Sequence, residues 1–264
     1  MAPRSYTFSH AVTRRPCAAI TKGLRAVDVG TPDLTTFQQH HNDYVTALKS
    51  TGATVTELAE HDAFPDSVFI EDAALCLREA AILMRPGAPS RLNEAEMMRP
   101  VLEDIYGSVL SIRGPGTIEG GDILVTEREI LVGRSERTNA AGIAELEALV
   151  TPFGYTLREV HTPPGVLHFK TDCSLLDDRT ILATNRLAST GCFDGYDVIE
   201  TAAGEEACAN AIRFNHKVLF PAGFPQTLAK LQAAGYSVTE IGNSEAAKLD
   251  GGMSCLSLRF SPQV

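Results

Sequence analysis

GTIEGGDILVTEREILVGRSERTNAAGIAELEALVTPFGYTLREV, residues 116–160, contains one full cycle of structure. Its segments DILV and EILVG are apolar runs of strand length, and the polar TERE around residue 128 predicts a hairpin tip. A helix is expected near 139–152, and YTLREV from Tyr155 reads as a strand. The turn that opens the cycle carries Glu119 and Asp122 around Gly120 and Gly121, a glycine pair that lets backbone approach closely.

Outward from this stretch the same order recurs. Upstream, a helix over 35–51 places Phe37, Tyr44, Val45 and Leu48 at helical spacing and leads to the strand ATVTELA from Ala53. SVFIEDAALCL then turns at Arg78 and Glu79 into AAILMRPG, followed by a helix near 91–106 and the strand VLSIR from Val109. Downstream come the hairpin SLLDDRTILAT, the strand YDVIET from Tyr196, the hairpin NAIRFNHKVLF and a helix near 225–234. A fifth cycle starts with YSVTEIG and SCLSLRF and lacks one hairpin strand. CAAITKG, residues 17–23, is expected to supply it, so that both chain ends share the last unit and close a ring. Tips near 78, 128, 178 and 216 fit repeated α/β units. No Gly/Ser-rich or Pro-rich linker divides them, which predicts one domain over 1–264. The competing architecture is a doubly wound sheet in two halves, and no GxGxxG or GxxxxGK[ST] phosphate loop supports it.

Composition narrows the function. With 44% apolar residues the chain has a core to bury, which excludes disordered and fibrous classes. Its 23 basic and 33 acidic side chains leave a net charge of −10, which disfavours nucleic acid and anionic membrane as partners and suits a small cationic ligand. The N-terminal MAPRSYTFSHAVTRRP has basic residues without the apolar core of a signal peptide, and no later apolar run approaches membrane-spanning length. Six cysteines without a CxxC pair or zinc spacing read as free thiols, so a cytoplasmic protein is expected.

The turns that precede the first hairpin strand of each unit carry the reactive side chains. They are FPDSVFIED with Asp66, Glu71 and Asp72, GTIEGGD with Glu119, GVLHFK with His168, and LDGGMSC with Asp250 and Cys255. In a pseudo-symmetric ring, equivalent turns face one axis, so groups distant in sequence converge. Two adjacent carboxylates in an apolar strand pattern are costly unless a cation or hydrogen-bond donors meet them. A thiolate nucleophile, an imidazole that moves protons and carboxylates that clamp a guanidinium form one coherent chemistry. Taken singly, each residue also has a bland reading: Glu71 and Asp72 as strand-end groups, His168 as a core histidine and Cys255 as a packed thiol. No pair of the seven histidines has HExxH spacing, so no metal is expected.

GTIEGGDILVTEREILVGRSERTNAAG, VLHFKT, KLDGGMSCLSLRF and FPDSVFIED resemble the dimethylarginine dimethylaminohydrolases, in the family's order and nearly end to end. The resemblance implies the pentein fold, a five-bladed αβ propeller, and cofactor-free hydrolysis of N-methylated arginines to citrulline and a methylamine. It implies Cys255 as nucleophile, His168 as general acid and base, and Glu119 as the carboxylate that supports the histidine. Glu71 and Asp72 would clamp the guanidinium, and Arg91 and Arg137 would hold the substrate carboxylate. Asp66 and the backbone of Leu24 would bind the amine, and Leu249 and Asp250 would border the guanidine end. Phe169 stands where relatives commonly have Leu, and Ala211 where a cysteine is frequent. The alternatives within the fold are an arginine deiminase, for whose inserted helical segment the chain has no room, and an amidinotransferase. A non-catalytic binding propeller is a third. A monomer or homodimer is expected, and residues 22–33 are a candidate lid. One tension stands out: carboxylates beside Cys255 should raise its pKa, and a bound cation would relieve this.

Overall fold

The computed structural model describes residues 4–263, so the ends of the 1–264 domain lie outside the described residues. The strands are β1 (His10–Arg14), β2 (Thr54–Leu58), β3 (Ala74–Cys76), β4 (Ala81–Leu83), β5 (Val109–Ser111), β6 (Ile123–Val125), β7 (Ile130–Arg134) and β8 (Leu157–His161). They continue as β9 (Cys173–Leu175), β10 (Thr180–Ala183), β11 (Asp197–Glu200), β12 (Ile212–Phe214), β13 (Lys217–Pro221), β14 (Ser237–Ile241) and β15 (Leu258–Phe260). They form five three-stranded sheets of one design. A short antiparallel hairpin supplies two strands, and a crossover returns a third strand parallel to the central one, as in β6–β7–β8. The hairpin tips fall where the polar pairs predicted them, between β3 and β4, β6 and β7, β9 and β10, and β12 and β13.

The fifth sheet draws on both ends of the chain, because β1 pairs antiparallel with β15 and parallel with β2. The strand that completes it is His10–Arg14 rather than 17–23, which instead forms a 3-10 turn over Ala18–Lys22. The reason is burial. A central strand is covered on both faces, and Ala11, Val12 and Thr13 are all buried, whereas only Ile20 of the later turn is. Pro16, without an N–H to donate, stands two residues after the strand.

The crossovers show which local signals held. Helix α1 (Leu34–Lys49) starts where the Asp33 carboxylate accepts from Thr36 N at 2.8 Å, and it buries Phe37, His41, Tyr44, Val45 and Leu48. Helix α2 (Arg99–Tyr106) is half the expected 91–106, because Pro100 fits only the first turn of a helix. The residues before it form 3-10 turns, which carry Arg91 inward. Helix α3 (Ala140–Val150) is capped by Asn139, α4 (Asn185–Ala188) is a single turn capped by Thr184, and α5 (Pro225–Ala233) opens on proline. Among the described residues, no helix is long and apolar enough to cross a membrane.

Each sheet packs its central strand into an apolar cluster, for example Ile82, Ile118, Ile130, Val132 and Leu146. Fully burying such side chains stabilises the fold by ~1.5–3 kcal/mol each. His41 is the exception on α1, since it is buried and neither ring nitrogen has a hydrogen-bond partner. Burial pushes its pKa down to about 4, with Glu57 opposing and Arg15 reinforcing the shift. The unfolded chain therefore binds a proton more readily between pH 6.5 and 4, and stability falls as pH drops through that window. His41→Gln should remove about 3 kcal/mol of this pH dependence. Melting temperatures at pH 7 and pH 4.5 check this, and parallel curves for the two proteins would exclude it.

Candidate active site

A 3-10 turn stands just before the first hairpin strand of every unit: Ile70–Ala73, Gly120–Asp122, Phe169–Thr171, Glu206–Ala209 and Ser254–Leu256. The last of these packs on the first, the first on the second, the second on the third, and the third on the fourth. The fourth meets the last through Asn210, whose carbonyl accepts from Met253 N and whose Oδ1 accepts from Ser254 N. The repeat thus brings the reactive turns together.

Glu119 is fully buried and accepts from His168 Nε2 at 2.6 Å and from Gly87 N at 2.8 Å. Arg137 Nη1 stands 3.6 Å from the same carboxylate. Burial alone would raise the Glu119 pKa, but the His168 hydrogen bond and charge, with Arg91 and Arg137, hold it down. Burial lowers the His168 pKa, and Asp72, Glu119 and Asp122 outweigh it, raising the imidazole to about 9. His168 is therefore a cation near neutral pH. Gly121 makes the approach sterically feasible, because a Cβ there would lie 2.7 Å from His168 Nδ1 and 2.9 Å from Asp72 Oδ1.

Asp72 accepts from Gly121 N at 2.9 Å and from Arg91 Nη1 at 2.6 Å. Its neighbour Glu71 turns the other way, into ion pairs with Lys170 and Arg259. Cys255 is buried, and its Sγ accepts from Gly252 N at 3.4 Å and Asn210 Nδ2 at 3.8 Å. Burial, then the charges of Glu71 and Asp72, push the thiol up to about 11, against the pull of Gly252 N–H and Lys170. The charge of Asp72 thus acts on both Cys255 and His168.

The remaining expected residues fall into two groups. Leu24 N donates to Asp66 Oδ1 at 2.9 Å, and a Cβ on Gly23 would meet both Asp66 and Leu249. Asp250 Oδ2 accepts from Ala26 N at 2.6 Å, so 24–26 is tied to Asp66 and Asp250. Val27 and Val29, farther along the same segment, are about two-thirds exposed, at 66% and 65%. Arg137 keeps partial exposure, whereas Arg91 is buried with Nε and Nη2 on Glu94, Nη1 on Asp72 and Nη2 also on the Phe69 carbonyl. Only one N–H of Arg91 Nη1 is left for a further acceptor.

Asp72, Glu119 and His168 each bring a ligand atom within 4.8 Å of the others, the spacing of a metal site. In this structure His168 Nε2 is instead hydrogen-bonded to Glu119 at 2.6 Å, so a metal there would have to displace the imidazole proton. A cavity of about 420 Å³ takes in Glu71, Lys170 and Arg259 and none of Asp72, Glu119, His168 or Cys255. It lies against the hairpin strands, so volume does not mark the reactive site; converging charge does.

The sequence reading left out Asn210, Lys170, Arg259 and Glu94. Lys170 stands two residues after His168 in the quoted HFKT, and Arg259 is the one charge in an apolar strand, so both carried a signal. Asn210 occupies the turn of the fourth unit, the position the repeat marks in the other four.

Residues 59–217 match the family model for arginine deiminase. The chain is 38% identical, over 96% of its length and 100% of the relative, to the N(G),N(G)-dimethylarginine dimethylaminohydrolase of Pseudomonas aeruginosa. It is 33% identical to the protein of the same description from Streptomyces coelicolor, over 95% of this chain and 96% of that one. A solved structure of the Pseudomonas aeruginosa enzyme, a Cys-to-Ser mutant complexed with citrulline, superposes with a TM-score of 0.94 at 38% identity. That match covers 97% of this chain and 100% of the other. The chain belongs to the dimethylarginine dimethylaminohydrolase family.

Proposed function

We propose that this protein hydrolyses N-ω-methylated arginines, asymmetric dimethylarginine and monomethylarginine, to citrulline and a methylamine. One observation carries the reading: the buried His168–Glu119 pair, Asp72 and Cys255 sit on packed turns of successive units. Citrulline, the ligand of the similar Pseudomonas aeruginosa structure, is the product this chemistry gives.

Cys255 loses its proton to solvent when the substrate cation binds beside it, because a cation offsets the charges of Glu71 and Asp72. The thiolate attacks the guanidine carbon and forms the C–S bond. The C–N bond to the methylated nitrogen then breaks as imidazolium His168 hands that nitrogen its proton, which leaves an S-alkylthiouronium. Neutral His168 next takes a proton from water, the resulting hydroxide adds to the same carbon, and the C–S bond breaks as the added hydroxyl gives its proton to the departing sulfur, which releases citrulline and restores the thiol. Glu119 holds the imidazole, and the Asp72 carboxylate supplies the negative field for the guanidinium, whereas Glu71, expected to share that clamp, is taken up by Lys170 and Arg259. Arg137 is the cation for the substrate carboxylate, with Arg91 adding its single unshared N–H. Asp66, the Leu24 backbone, Leu249 and Asp250 enclose the substrate.

Under this reading the five units close into a propeller that forms a single catalytic domain, acting as a monomer or homodimer. A reducing cytoplasm suits six cysteines that are all free. Incubation with asymmetric dimethylarginine should yield citrulline and dimethylamine. Ammonia from unmethylated arginine at a comparable rate would instead make it a deiminase, and no product from either would refute hydrolysis.

A further inference from the structure

Among the donors around Sγ, two are neutral N–H groups, and one of them lies on an element that the proposed mechanism does not use. Asn210 is buried at the end of the Glu206–Ala209 turn. Its Oδ1 accepts from Ser254 N at 2.9 Å. An N–H there requires an oxygen opposite, which fixes the amide with Nδ2 toward Cys255 Sγ at 3.8 Å. The Asn210 carbonyl accepts from Met253 N at 3.2 Å, so three hydrogen bonds join this residue to the turn that bears the thiol. Space has been kept for it, because a Cβ on Gly252 would lie 2.2 Å from the Asn210 amide carbon. Gly252 N, the second donor, thereby stays 3.4 Å from the sulfur.

We propose that Asn210 is a further catalytic residue: its Nδ2–H and the Gly252 N–H together form a two-donor cradle that stabilises the Cys255 thiolate. The carboxylates that attract the substrate cation oppose ionisation of the same sulfur. A neutral donor eases that conflict without repelling the guanidinium, as a lysine or arginine in its place would do. Hydrogen bonds to an ionised acceptor are about twice as strong as neutral ones, so the cradle favours the thiolate over the thiol.

This inference rests on Cys255 as nucleophile, and its test is separate from that reading. In the full-length protein, alkylation of Cys255 by iodoacetamide is followed from pH 7 to 10 by mass spectrometry of its peptide, which separates it from the other five thiols. Asn210→Asp keeps the acceptor for Ser254 N and removes the donor, and Asn210→Ala removes both. Each should slow alkylation roughly tenfold at a given pH, and should lower kcat with KM little changed. Asn210→Ser, which keeps a small hydroxyl donor, should fall between, and it replaces either variant that does not fold. Unchanged alkylation profiles in folded variants would overturn the inference, whereas an active Cys255→Ser would overturn the nucleophile assignment instead.

Discussion

Cys255→Ser is expected to lower kcat on asymmetric dimethylarginine by at least about 10⁴-fold while the ligand still binds. The substitution preserves shape and both donors, since Gly252 N and Asn210 Nδ2 can face an oxygen as well as a sulfur. What changes is acidity. Burial and two carboxylates already push the thiol up to about 11, and a hydroxyl starts several units higher. No cation the substrate brings can ionise it near neutral pH. Titration calorimetry with citrulline and steady-state kinetics measure the two halves of this expectation. Turnover within tenfold of the parent would remove Cys255 from its role.

His168→Gly should separate the two halves of the reaction. With methylated arginine, the departing amine would have to leave as an anion, and kcat should fall by on the order of 10³-fold or more. An analogue whose leaving group departs as a stable thiolate or halide needs no proton, and it should still alkylate Cys255. The resulting adduct should persist, because the base that activates water is gone, and intact-protein mass spectrometry would show its added mass. The variant also leaves Glu119 buried with Gly87 N and Arg137 as partners, so some loss of stability is expected. Its melting temperature should recover in part below the carboxylate's new pKa, where Glu119 is neutral. A variant that turns over methylated arginine normally, or that forms no adduct with the activated analogue, would contradict the assignment.

The repeat was legible because hairpin tips are punctuated by polar pairs, and those pairs stand in each of the four units that have a hairpin. Its completion was read from the wrong segment. CAAITKG offers a compact apolar run, whereas His10–Arg14 mixes polar with apolar residues, and Thr13 gives no sign of being fully buried. Helix 91–106 failed for a related reason: its apolar spacing is genuine, but Pro100 and the inward pull of Glu94 and Asp72 on Arg91 reserve the first half for turns. The four-residue helix α4 is too short for periodicity to register. At the site, Cys255, His168, Glu119 and Asp72 were legible because each type stands at the same point of the cycle. Asn210 stands there too, but an amide carries no charge and advertises no chemistry until its partner is seen.

The thiol is borne by the turn into β15, and that strand is held by β1, whose register sets His10 against Phe260 across about 250 residues. Pairings so remote are the slowest to form, because the intervening loop must first be ordered. During folding, and on a ribosome, the carboxylates and the imidazole can assemble while the sulfur is still adrift. If that pairing closes last, the enzyme gains its reactivity only as maturation ends, and a partly assembled chain would have no thiol in place to trap substrate.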